Sequence, residues 1–146
     1  MKPRPDPVTH SVSVAPGRTP ARLSMRMALW LLDHPQLSQK PGVKHFAGRL
    51  LKQPARQGVV AAQSRLGQML CRDCGNTRDR RVGHELLRQA ARAGDCVAQF
   101  EYGRLCVEAP INAPQRARYW LELASAKGSQ EARQLLGQLD KQQVDA

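Results

Sequence analysis

The sequence predicts an all-α fold: a short solenoid of antiparallel helix pairs, about seven helices in all, with no strand. Three observations predict it. A frame of small residues returns every 34–36 positions. Apolar residues recur at helical rather than alternating spacing. Glycine and proline fall at the ends of those periodic runs. With 146 residues the chain has room for one domain. Hydrophobic residues make up 41% and charged residues 24%, enough to bury a core. Trp, Tyr and Phe occur only twice each, so that core must be built mainly from Leu, Ala, Val and Met.

The repeat is explicit. Leu50 to Gly67 (LLKQPARQGVVAAQSRLG) lies over Leu86 to Gly103 (LLRQAARAGDCVAQFEYG) at an offset of 36, with nine of eighteen positions identical. Trp120 to Gly137 (WLELASAKGSQEARQLLG) follows at an offset of 34. One glycine returns as Gly58, Gly94 and Gly128, a second as Gly67, Gly103 and Gly137, and an alanine as Ala62, Ala98 and Ala132. A fixed period of this length marks stacked supersecondary units, none of which buries its apolar face alone.

Taken from the N-terminus, residues 1–18 carry prolines and arginines without periodicity and are expected to be a disordered tail. A divergent helix pair is expected over 19–57. Thr19-Pro20 reads as a cap and first-turn proline. Leu23, Met27, Trp30 and Leu31 then form one apolar face, ending before His34-Pro35. The second helix of the pair runs from about Val43 to Gln57, with Pro54 expected to bend or shorten its last turn.

Residues 58–140 hold two full repeat units and a terminal half-unit. Each unit has a first helix, A, and a second, B. Leu86, Leu87, Ala90 and Ala91 give the B helix its face, and Gly94 ends it in a left-handed cap. The following A helix starts near Cys96 and packs Ala98, Tyr102, Leu105 and Cys106. Gly103 inside it costs about 1 kcal/mol of helix propensity against Ala. Its recurrence therefore asks for close helix–helix approach. The loop from Arg72 to Asp79 is rich in turn formers, with Asp79 placed as N-cap. Pro110 and Pro114 mark the next loop, Pro114 suiting a first helical turn. Residues 141–146 are expected to be a flexible tail.

These residues resemble the Sel1-like repeat, a relative of the tetratricopeptide repeat, whose pattern runs A-x-x-x-L-G-x-x-Y, then G-x-G-V and an Asp, then K-A-x-x-W and A-A-x-x-G. Ala62, Leu66, Gly67, Leu70, Gly75, Asp79, Leu86, Ala90, Ala91 and Gly94 fall on it in the first unit. Ala98, Tyr102, Gly103, Arg116, Ala117, Trp120, Ala124 and Gly128 do so in the second, and Ala132, Leu136 and Gly137 in the third. Asn76 replaces the loop valine, Asp73 a loop glycine, and Val82-Gly83 the Lys-Ala pair; the second unit lacks the glycine loop. The match covers about residues 43–139. The resemblance implies a right-handed superhelix with the A helices on its concave side. It also implies an adaptor that binds proteins or peptides and does not catalyse. The 36-residue spacing and the loop favour it over a plain tetratricopeptide repeat.

Chemistry of other kinds finds little footing. His10, His34, His45 and His84 are scattered, with no i, i+4 pair and no H-E-x-x-H. His84-Glu85 reads as a solvated pair at a helix start. No glycine-rich phosphate loop follows a strand, and no cofactor is implied. Four cysteines occur, Cys71, Cys74, Cys96 and Cys106. Cys71 and Cys74 form a lone C-x-x-C, a weak zinc alternative because no second close pair accompanies it. The longest apolar run, Met27 to Leu32, is far below the roughly 18 residues of a membrane span. With no secretory pattern in the first twenty residues, a cytoplasmic chain with reduced thiols is expected.

Charge reads in two ways, as a solvated basic surface or as a face for an acidic partner. The net charge is +11, and it is graded: residues 21–58 carry seven basic against one acidic residue, residues 96–129 four against three, and residues 130–146 two against three. An acidic protein or peptide partner fits a repeat adaptor best. Nucleic acid is the alternative, weakened by the lack of stacking aromatics in the basic half. Arg78, Arg80 and Arg81 flank a loop and read as solvated. If the A helices line the groove, Arg65, Gln68 and Arg72, with Arg104 and Gln138 as later counterparts, are the expected partner-binding residues. The stack's end either caps itself or pairs with a second copy.

Overall fold

The computed structural model describes residues 21–73, 75–108 and 114–144. The described residues form eight helices and no strand: α1 (Ala21–Asp33), α2 (Pro35–Ser38), α3 (Pro41–Arg56), α4 (Val60–Arg72), α5 (Thr77–Arg92), α6 (Cys96–Glu108), α7 (Pro114–Ala126) and α8 (Gln130–Val144). Each helix packs on the next along the chain, α4 on α5 and α6 on α7 most extensively. α1, α4, α6 and α8 take the A role and α3, α5 and α7 the B role. α4 touches α6 and α6 touches α8, so the A helices lie side by side.

The repeat frame has a physical meaning at every position. Gly58, Gly94 and Gly128 end the B helices with φ of 83°, 93° and 97°, where a Cβ would be strained. The same bonds close all three helix ends. The amides of Val59, Asp95 and Ser129 donate to the carbonyls of Pro54, Ala90 and Ala124 at 3.0–3.1 Å, the Schellman pattern. One leucine per unit, Leu51, Leu87 and Leu121, is fully buried. Each such burial contributes about 2 kcal/mol.

Two of these leucines explain the second glycine. A Cβ on Gly67 would stand 2.7 Å from Leu87 Cγ and 3.0 Å from the Gly83 carbonyl oxygen. One on Gly103 would stand 2.9 Å from Leu121 Cγ. The A helix thus gives up a side chain so that the B helix of its own unit can seat a leucine against the backbone. Gly83, the departure from the family's Lys-Ala pair, works from the other side: its Cβ would meet Cys71 Sγ at 2.8 Å and Leu70 Cβ at 2.9 Å. Gly137 occupies the same repeat position on α8, and nothing lies within 4 Å of its Cβ site. Among the described residues no B helix faces it there. Core residues accordingly fall into three clusters in series, centred on Leu51 with Leu66, on Leu87 with Leu105, and on Leu121 with Ala132.

Several elements differ from the sequence expectation. The count is eight rather than seven because His34-Pro35 opens the short α2 with proline in its first turn. α3 starts at Pro41 and keeps Pro54 fully buried near its end. α5 is capped by Asn76, whose Oδ1 accepts the Arg78 amide at 2.9 Å, so Asp79 sits inside the first turn rather than at the cap. α8 continues to Val144, making 141–144 helical where a flexible tail was expected. On α1 the buried residues are Ser24 and Ala28, small enough to let it lie close on α3, while Leu23, Met27 and Trp30 of the expected apolar face are about half exposed. The expected disordered segment 1–18, the Thr19-Pro20 cap, Cys74 and Pro110 lie outside the described residues.

Candidate partner-binding groove

The expected binding residues sit on A helices, and three are already engaged. Arg65 on α4 pairs with Asp33 on α1 at 2.7 Å. Arg72, also on α4, pairs with Glu101 on α6. Arg104 holds the same Glu101 at 3.0 Å and Glu108 at 2.5 Å. Glu101 is 3% exposed, so the two guanidiniums compensate a carboxylate withdrawn from water. The structure therefore brings Arg72 and Arg104 together, but around an internal anion. Gln68 is half-buried and Gln138, at the equivalent place on α8, is exposed. This face ties α1 to α4 and α4 to α6.

A second link recurs at repeat spacing. Gln63 Nε2 donates to the Ala55 carbonyl at 3.2 Å, and Gln99 Nε2, thirty-six residues on, donates to the Ala91 carbonyl at 3.1 Å. Gln63 also bonds Gln89 Oε1 at 3.0 Å. The counterpart of Gln89 in the next unit is Leu123, and Gln99 Oε1 is buried without a partner among the described residues.

A cavity of about 1070 Å³ opens on a different side of α4. α3 and α5 form its walls and α4 its floor. Leu66, Met69 and Leu70 line that floor, roughly 120° round the helix from Arg65, Gln68 and Arg72 at 3.6 residues per turn. Val82 and Leu86 line the α5 wall. The α3 wall is cationic. His45, Arg49, Lys52 and Arg56 stand at i, i+4, i+7 and i+11, a single stripe. α3 has four cations and no acid. Lys44 is neutralised by Asp73 across the groove at 3.0 Å. Arg49, Lys52 and Arg56 enter no ion pair with a described residue, and their spacings of three and four cost about 0.2–0.5 kcal/mol per like-charged pair. Residues 21–58, where the sequence carries its excess of cations, supply this stripe, whereas the expected binding residues lie on the A helices.

Elsewhere burial shifts titratable groups. Burial, with Arg80 nearby, holds His84 below its ordinary value. Burial raises the Cys106 thiol. Cys71, half-buried on α4, lies 3.9 Å from the Arg80 carbonyl oxygen. Tyr102 and Trp120 meet edge to face at 5.6 Å against the middle core cluster, as packing residues. No helix among the described residues is long and apolar enough to cross a membrane.

An all-α stack of hairpins defines the molecule as an α-solenoid. Among solved structures it is similar to a Sel1 repeat protein from Oxalobacter formigenes, at 27% identity over 82% of this chain and 89% of that one, with a TM-score of 0.62. It is also similar to a protective antigen of uropathogenic Escherichia coli strains displaying an SLR fold, at 21% identity and a TM-score of 0.66 over 81% of this chain; the match spans 25% of the antigen. No sequence-family profile and no curated protein matches the chain. Its repeat frame and these likenesses support a Sel1-like repeat protein.

Proposed function

We propose that this chain is a non-catalytic adaptor whose α3–α4–α5 groove holds an acidic segment of a partner protein. Sel1-like repeats serve as protein–protein interaction scaffolds. The observation that carries the finer reading is the unpaired stripe of Arg49, Lys52 and Arg56, beside an A-helix face whose arginines are paired internally. Repulsion along the stripe weakens the isolated helix, and an acidic ligand relieves it. The groove lining holds no Phe, Tyr or Trp, which disfavours single-stranded nucleic acid, because such strands are held by stacking.

The test is a titration of the full chain with a polyglutamate peptide and with random single-stranded RNA, at two salt concentrations. The peptide is expected to bind in a salt-weakened manner. Arg49→Glu with Lys52→Glu is expected to lower its affinity at least tenfold, about 1.4 kcal/mol, with helicity unchanged. Arg65→Glu, which breaks the contact with Asp33, is expected to cost stability and leave peptide affinity intact. Tighter binding of RNA with a steep salt slope refutes the reading.

A further inference from the structure

We propose that the partner enters the groove as an amphipathic α-helix of about two turns, acidic on one flank and apolar on the next. This rests on the acidic-partner reading and specifies the shape of what binds.

Three features converge on a helix. The first is size. A helix about 10 Å across and two turns long, with a 5.4 Å pitch, fills about 850 Å³, and the cavity is about 1070 Å³. The cationic stripe from Arg49 to Arg56 also covers about two turns. The second is the division of chemistry across the groove. Cations line the α3 wall, the middle of the floor and of the α5 wall present Met69, Leu70 and Val82, and Asp73, Arg78 and Asp79 stand at the end where α4 meets α5. A ligand meeting both needs carboxylates and apolar side chains on adjacent flanks, which a helix provides at i, i+3, i+4 and i+7. An extended strand would put alternate side chains on opposite faces, and no sheet edge among the described residues offers it main-chain bonds.

The third feature is Gly48. It sits in the middle of α3, where glycine costs about 1 kcal/mol against alanine. Gly67, Gly83 and Gly103 are required by helices packed against them, but a Cβ on Gly48 would only graze Met69 at 3.6 Å and Leu66 at 4.0 Å, ordinary contact. No neighbour among the described residues requires a glycine there. Gly48 lines the groove beneath the stripe. Its missing side chain leaves a low place in the wall where a second helix backbone can come close, as α5 does at Gly67.

The experiment compares two peptides of one composition, about four turns long, built from Leu, Glu, Ala and Gln. In one, Glu and Leu occupy adjacent helical flanks; in the other the order is scrambled so that no flank forms. Binding to the full chain is read by fluorescence anisotropy, and peptide helicity on binding by circular dichroism of isotope-edited or difference spectra. The patterned peptide is expected to bind at least tenfold tighter than the scramble and to gain helicity. Gly48→Leu is expected to lower that affinity at least tenfold while raising the urea midpoint, and Gly48→Ala to fall between. Equal affinity for both peptides, or full affinity in a stably folded Gly48→Leu protein, overturns the helix assignment and leaves the acidic-partner reading standing. Failure of both peptides to bind overturns both.

Discussion

Gly67 and Gly137 hold one repeat position in two environments, so the same substitution should have opposite effects. In Gly67→Ala the new Cβ stands 2.7 Å from Leu87 Cγ, 3.1 Å from Leu87 Cδ2 and 3.0 Å from the Gly83 carbonyl oxygen. Leu87 is fully buried, and the oxygen belongs to the facing helix backbone. Neither can swing aside. Such overpacking costs about 3 kcal/mol, the upper end of the usual range, because contacts close on both sides. The gain in helix propensity offsets about 1 kcal/mol. The net expectation is a loss of about 2 kcal/mol. Gly137→Ala meets nothing within 4 Å and keeps only the propensity gain, so it should stabilise by just under 1 kcal/mol. The two variants should differ by about 3 kcal/mol, a shift of more than 1 M in urea midpoint at the slopes usual for small proteins. Urea unfolding followed by helical circular dichroism measures it. Equal midpoints for the two variants would refute the argument that the repeated glycine exists for close hairpin packing.

Two further outcomes follow from the ion network and the half-buried His84. Arg72→Ala leaves Glu101, 3% exposed, with Arg104 as its remaining cation, and should cost about 1.5 kcal/mol; adding Glu101→Gln should recover part of that, as a double-mutant cycle in urea would read. His84 is held below its unfolded value of 6.5 by burial and by Arg80, so the folded state favours the neutral ring. Its contribution is complete above pH 6.5 and is lost as pH falls toward the folded value, where the unfolded chain takes up the proton first. Midpoints measured from about pH 7.5 down to about pH 5 should fall less in His84→Gln than in the unmodified protein, and parallel curves would assign the loss to other groups.

Much of the architecture was legible because the constraints recur. A left-handed cap that only glycine meets cheaply, a leucine seated on a glycine, and an alanine at a crossing each leave one letter at a fixed offset, and three copies make the pattern plain. Single events left no such trace. α2 arises once, from His34-Pro35, and the capping by Asn76 rather than Asp79 depends on which of two good capping residues first adopts extended backbone. The exposure of Leu23, Met27 and Trp30 could not be read either, because amphipathicity locates an apolar face without showing whether anything covers it. The site was half legible. Composition gave the excess of cations in residues 21–58. Only three-dimensional pairing separates Arg65, Arg72 and Arg104, spent on Asp33, Glu101 and Glu108, from Arg49, Lys52 and Arg56, which face the cavity.

The three core clusters stand in a row, and α3 and α5, the walls of the groove, are joined chiefly through α4 beneath them. Leu86 of α5 packs against the same core as Leu51 of α3 and Leu66 of α4, so both walls stand on one foundation. A change of side-chain volume at Leu51, which is no part of the lining, would therefore reset the width of the gap from below.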